Sequence, residues 1–219
     1  MDDDKRRRVR EAALEVFLHH GYRKVTMDDI ARGAGVSRPA LYLVFPNKEA
    51  VFRDVVQAGL DKLIDSIERG LPGRRTLAEQ LGYVLEVSTV GSFELVARAP
   101  AAAELMNASF EFVGDLFEQY DRRRAEILAS LLRTAVRGPE ALRPPAEARA
   151  RVLIAAAHGC KSTAKNVKDL RNLVGDLVQM TVAGMPVGAK HAGRLVGAKR
   201  SPEPTVPAPP GIAPTTRAR

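Results

Sequence analysis

Tryptophan is absent from the 219 residues, cysteine occurs once, and aromatic residues make up only 5% of the chain. A single thiol, Cys160, excludes an intramolecular disulfide framework and the usual four-thiolate zinc sites, and it points to a reducing, cytoplasmic setting. No apolar run approaches the ~20 residues that a bilayer-crossing helix needs. The opening stretch, Met1-Asp-Asp-Asp-Lys-Arg-Arg-Arg8, holds no apolar block, so no secretory signal is expected there. Alternation of apolar and polar residues at period two is also missing, which leaves an all-α fold. There is no Gly-rich phosphate loop, no metal-spaced set of His and Cys, and no nucleophile elbow. The nearest approach to a catalytic pair, His158 and Cys160, stands at i and i+2 on a predicted helix, about 200° apart around its axis. The two do not share a face, so no catalytic residue, metal site or cofactor is expected, and Cys160 reads as a small buried residue.

What the chain has is an excess of base. Against 26 acidic residues stand 34 Lys and Arg, a formal net charge of +8, which suggests a polyanionic partner. Six of those bases against the single acid Glu203 fall in residues 184–219, together with seven of the 14 prolines, so most of the excess belongs to a segment expected to be a disordered tail.

Ahead of that tail the apolar residues repeat at helical spacing. Val9, Ala12, Ala13, Val16 and Phe17 form one stripe that Gly21 ends. Thr26 caps a short second helix bearing Asp28 and Asp29 in its first turn, with Ile30, Ala31 and Ala34 facing inward. Gly35-Val36-Ser37 closes it and opens a third, with Ser37 as cap and Arg38-Pro39 at its first positions; Pro46 keeps that helix short. Asn47 caps the fourth, which carries Val51, Val55, Val56, Leu60, Leu63, Ile64 and Ile67 down to Gly70-Leu-Pro-Gly73. From Thr76-Leu-Ala-Glu79, a capping box, longer helices follow, including a short one near Ser92–Arg98 and a long one from Leu105 to Gly138 that Asn107–Ser109 could divide. Residues 146–167 and 169–183 read as two more. The sum is about nine helices in three segments: a helix-turn-helix domain over 1–54, whose fourth helix runs on to about 70, a helical domain over 55–183, and the tail.

Two short helices joined by a tight glycine turn, inside a three-helix core, are a helix-turn-helix arrangement. The stretch Thr26-Met-Asp-Asp-Ile-Ala-Arg-Gly-Ala-Gly-Val-Ser-Arg-Pro-Ala-Leu-Tyr-Leu-Val-Phe-Pro-Asn-Lys-Glu-Ala-Val-Phe52, preceded by Ala13–Phe17 and Gly21-Tyr22, resembles the DNA-binding domain of TetR-type repressors. That resemblance implies phosphate contacts by Thr26, Tyr42 and Lys48, and base contacts from Ser37, Arg38 and Ala40. Arg38 is suited to guanine O6 and N7, a bidentate pairing worth ~1–3 kcal/mol of discrimination. Leu43 and Val44 depart from the common pattern, which has an aromatic and a histidine there. The run Lys5–Arg8 has two readings, a contact to DNA beside the site or a solvated terminus.

The remaining helices carry no motif. The resemblance implies a domain that binds an unknown small-molecule effector and forms a homodimer on palindromic double-stranded DNA. Candidate effector residues are Phe93, Met106, Phe110, Phe117 and Tyr120, with Arg98, Glu104 and Arg124 as charged partners; each has core filling as its plainer role. Leu153, Ala156, Cys160, Leu170, Leu173, Val174, Leu177 and Val178 are candidates for a four-helix dimer interface. The function expected is a transcriptional repressor released by its effector through movement of the fourth helix. The alternatives are an activator using the same motif, or a helical sensor acting through protein contacts.

Overall fold

A computed structural model describes residues 2–98, 102–135 and 145–184, with backbone alone for residues 2, 3, 96, 98 and 102–111. The segment read as a tail lies outside the described residues from 185 on. Among the described residues there is no strand, and nine α-helices follow one another: α1 (Asp2–His20), α2 (Met27–Gly33), α3 (Arg38–Tyr42), α4 (Lys48–Gly70), α5 (Leu77–Leu85), α6 (Gly91–Arg98), α7 (Ala102–Ala135), α8 (Ala146–Thr163) and α9 (Val167–Ala183). The chain divides into two compact units. Of the described residues, one unit comprises those up to Ala58 and Val96–Gly114, and the other comprises Gly59–Leu95 and those from Asp115 onward. The boundary drawn from sequence at 54/55 falls inside α4, which runs unbroken past it.

In the first unit the predicted stripe of α1 is buried at Val9, Ala13 and Phe17, as are Ile30 and Ala31 of α2, Leu41 of α3 and Val51, Phe52 and Val55 of α4. Phe17, Tyr22, Phe52 and Phe112 bring their rings together, with centroids 4.9–5.9 Å apart along the chain of contacts. Such offset and edge-on pairs add to the area they bury. Arg53 donates to the Phe112 carbonyl. The basic run Lys5–Arg8 is part of α1, and Arg6 is bound to Asp54 of α4 at 2.5 Å.

In the second unit Leu77, Leu81, Val84 and Leu85 of α5 share a core with Leu128 and Leu132 of α7, Leu153 and Ala157 of α8, and Leu170, Val174 and Val178 of α9. At the end of α4 a 3-10 turn, Leu71–Gly73, makes the corner. There the Tyr83 hydroxyl donates to the Ser66 carbonyl at 3.0 Å, and the Arg74 guanidinium lies 3.3 Å from the Tyr83 ring centre while bonding the Gly70 carbonyl. A Cβ on Gly70 would collide with the Tyr83 hydroxyl end, so glycine is required by close approach.

Three boundaries differ from the expectation. The long helix α7 is broken at Val113 (φ −137°, ψ 16°), not at Asn107–Ser109. Helix α8 stops at Thr163, because Asn166 caps α9 by accepting from the Asp169 amide at 2.9 Å and so leaves Ala164-Lys165 as a turn. Between α5 and α6 the chain does not turn; Glu86–Val90 is a π-helical segment, with Val87, Ser88, Thr89 and Val90 all buried.

Candidate functional site

The α2–α3 unit is built from caps that the sequence spells out. Thr26 Oγ1 accepts from the Asp29 amide at 3.2 Å, while Asp29 Oδ2 accepts from the Thr26 amide at 3.0 Å and its hydroxyl at 2.6 Å. These bonds hold the Asp29 carboxyl below its ordinary pKa. At the other end Gly35 takes φ +62°, the Gly35 amide donates to Arg32 O at 3.2 Å, and the Val36 amide donates to Ala31 O at 3.0 Å. That pair of bonds is a Schellman ending, which satisfies two carbonyls and turns the chain sharply. Ser37 Oγ then accepts from the Ala40 amide at 3.3 Å and starts α3 at once, with Pro39 in its first turn.

The consequence is a short helix anchored by one buried residue, Leu41, with its other side turned outward. Ser37, Arg38 and Pro39 are exposed, Ala40 is half-buried, Tyr42 is 42% exposed and Leu43 is 84% exposed. Arg38 and Tyr42 are brought together, the guanidinium lying 5.7 Å from the ring centre. Arg38 also reaches back to α2, where its Nη1 meets Asp28 Oδ2 at 3.1 Å. Contact with the Tyr42 hydroxyl and the Asp28 charge raise the Arg38 pKa further above an already permanent cation. One N–H of the fork is thus occupied by Asp28 and the planar group is oriented. Leu43, beyond α3, is the most exposed large apolar residue of the described chain and offers a surface for a thymine methyl.

Lys48 is placed differently from the role the resemblance implied. Its Nζ donates to the Tyr22 and Val25 carbonyls at 2.8 Å each and to Arg23 O at 3.4 Å, and it sits 4.4 Å above the Tyr22 ring. All three ammonium donors are therefore spent on the α1–α2 loop, and partial burial lowers the lysine pKa. The side chain clamps the loop that precedes Thr26. Beside it the start of α4 is capped by Asn47, whose Oδ1 accepts from the Ala50 amide at 2.8 Å. Lys48's partners lie more than twenty residues upstream, so no local sequence signal pointed to this clamp.

The candidate effector residues fall in the second unit where they are described. Phe93 and Phe117 are half-buried, Tyr120 is buried, and burial pushes the Tyr120 hydroxyl up to about 12. The side chains of Met106 and Phe110, like those of Arg98 and Glu104, lie outside the described residues. Of the candidate interface residues, Leu153, Leu170, Val174 and Val178 are buried in their own chain's core, while Ala156, Cys160, Leu173 and Leu177 are half-buried. The large apolar side chains that α8 and α9 leave most exposed are Val152, 68%, and Met180, 75%. The helical stripe was read correctly, but its most apolar line faces inward.

Comparison with known proteins places this geometry. A model described as bacterial regulatory proteins, tetR family, matches residues 9–55, the span from α1 to the start of α4. The HTH-type transcriptional repressor BepR of Brucella suis is 32% identical over 158 residues, which cover 68% of this chain and 74% of BepR. The HTH-type transcriptional regulator EthR of Mycolicibacterium smegmatis is 26% identical over 132 residues, and there the match spans only 61% of EthR and 58% of this chain. Among solved structures, FadR of Thermus thermophilus, a TetR-family repressor in complex with lauroyl-CoA, superposes with a TM-score of 0.55 at 27% identity, covering 84% of this chain and 96% of FadR.

Proposed function

Because the chain belongs to the TetR family of bacterial regulatory proteins, we propose that it is a DNA-binding transcriptional repressor, acting as a homodimer on a palindromic operator and released by a small molecule bound in its second unit. One observation carries this reading: a capped α2–turn–α3 holds the start of a five-residue helix clear of its own core, with Arg38, Tyr42 and Leu43 outward. Such a helix end is what a major groove admits, and an arginine there pairs with guanine. A dimer follows from the task, since two such ends one helical turn apart read both halves of a palindrome. Val152 and Met180 on the packed pair α8 and α9 are the apolar surface for a partner copy.

Selection from a randomised duplex pool tests the reading. An inverted repeat with half-sites about 10 base pairs apart, or a multiple of that, is the expected product. Recovery of unrelated sequences with no repeat would overturn sequence-specific recognition. A promoter reporter carrying the selected site then separates repression from activation by the sign of its response.

A further inference from the structure

The first unit ends its helix-turn-helix on a line of side chains that the fold leaves bare. Helix α3 is five residues long and is held by one buried residue, Leu41. Leu43 follows it with helical angles (φ −67°, ψ −24°), and its amide donates to the Pro39 carbonyl at 3.1 Å, so the helical rotation carries through it. At about 100° per residue, Pro39 and Leu43 stand about 160° and about 200° around the axis from Leu41, each within about 20° of the direction opposite that anchor. They form the outermost line of the helix. Pro39 is exposed and Leu43 is 84% exposed. The polar side chains of α3, Arg38 and Tyr42, share one flank at about 60° and about 100° from Leu41, as the contact between guanidinium and ring requires. Ala40, half-buried, stands on the other flank.

Two exposed apolar side chains are far too little surface for a stable protein partner, which needs about 800 Å² a side. They match a smaller object. In the major groove the C5-methyl group of thymine projects from the base edge, and hydrocarbon gains by covering it. 5-Methylcytosine carries the same group on the same ring carbon. The C5 edge of uracil or of unmodified cytosine would leave a gap of one methyl group against this line, with its contacts forfeited. Hydrogen-bonding readout stays on the flank, where Asp28 of α2 holds the Arg38 guanidinium at 3.1 Å. Pro39 and Leu43 have no side-chain donor or acceptor, so what they sense at a pyrimidine is the methyl group itself.

We propose that the Pro39–Leu43 line reads the C5-methyl group of a pyrimidine in the operator half-site, whether thymine or 5-methylcytosine supplies it. The inference rests on the operator-binding reading above and extends it to the DNA's own chemistry: methylation of a cytosine at that place strengthens binding, so the hold on the site responds to the methylation state of the duplex.

The operator selected from the randomised pool supplies the test, with the full chain and fluorescence anisotropy as readout. Each thymine of the half-site is replaced in turn by deoxyuridine, in both halves at once, which removes a methyl group and nothing else. At one position affinity is expected to fall about fourfold per half-site, the worth of one buried carbon, and about fifteenfold for the symmetric pair. At that position a C·G pair is expected to bind more tightly by the same factor once its cytosine is 5-methylated. L43A and L43N are expected to bind the thymine and deoxyuridine duplexes alike, while keeping the guanine preference and the melting temperature of the parent, since the side chain is 84% exposed. A Leu43 that served only the fold would instead lower affinity for both duplexes equally. The proposal is overturned if the selected half-site holds no thymine on either strand, if no deoxyuridine replacement lowers affinity by more than about twofold, or if L43A keeps the parent's ratio. A pool that yields no repeat removes the operator-binding reading together with this one, whereas a repeat indifferent to the methyl group removes this one alone.

Discussion

Arg38 is held before it meets DNA. Asp28 takes one N–H of its fork and Tyr42 lies against its face, so the guanidinium starts oriented, but under a carboxylate that repels phosphate. Arg38→Ala is therefore expected to cost ~1–3 kcal/mol on the selected operator and little on random duplex, and Asp28→Asn to raise affinity for random duplex. Fluorescence anisotropy on both DNAs checks this; equal losses for Arg38→Ala would remove its base-reading role. For Lys48 the expectation moves from binding to stability. Lys48→Met is expected to lower unfolding free energy by about 1–2 kcal/mol, as charge-assisted bonds to a part-exposed group allow, with a matching fall in melting temperature. The exposed place of Arg38 at the start of α3 was legible because cap, proline and turn are local. That of Lys48 was not, since its carbonyl partners are brought to it only by the folded α1–α2 loop. His158 gives a third expectation. Its pKa is lowered on folding, so the unfolded chain takes up the proton first; stability is complete above the unfolded value of 6.5 and is lost as pH falls through the lowered folded value. Urea unfolding between about pH 7.5 and 5.5 is expected to show this loss, with Asp121, Lys161 and Arg124 as the charges facing the ring, and His158→Gln to shrink it. An unchanged slope in that variant would place the proton elsewhere.

Helix ends in this protein are largely a matter of four-residue chemistry, which is why most were readable in advance. Thr76 and Glu79 cap α5 reciprocally, as Thr26 and Asp29 cap α2, and Gly21 ends α1 at φ +76°. Asn166, the cap of α9, was equally local and was passed over because apolar spacing ran through it. The break at Val113 and the π segment are different in kind. Gly114 follows the break and Gly91 follows the π segment, but an isolated glycine inside a helical pattern does not by itself tell a kink or a wide turn from a continuous helix. The corner after α4 also depends on a distant residue: Tyr83 fills the space beside Gly70. Gly70→Ala is expected to destabilise by about 1–3 kcal/mol, despite alanine's better helix propensity, because the ring must leave its bond to Ser66. Chemical denaturation measures it, and a stabilised variant would mean that the corner yields freely.

Across the chain, charge and apolar surface are distributed for different partners. The net excess of base sits mainly beyond residue 184, while the described units keep many of their charges paired, Arg6 with Asp54, Arg123 with Glu68 and Arg171 with two glutamates among them. Association of copies is expected to depend on Val152 and Met180 rather than on the buried line of α9. Val152→Asp with Met180→Asp should weaken dimerisation by roughly a hundredfold while leaving helicity intact, as read by light scattering and circular dichroism. A double variant that stays dimeric would move the interface elsewhere. The π segment carries a consequence for descent as well. Such a turn holds one residue more than an α-turn of the same rise, and one residue is about 100° of helical rotation. Because the wider turn absorbs that residue, a single-codon deletion between Glu86 and Val90 would return it to a regular α-turn, with α5 and α6 close to their present phase and Ser92 still beside Lys161. Relatives aligned with a one-residue gap at this place are expected to keep the helical phase on both sides of it and to differ only in the local packing of Val87–Val90.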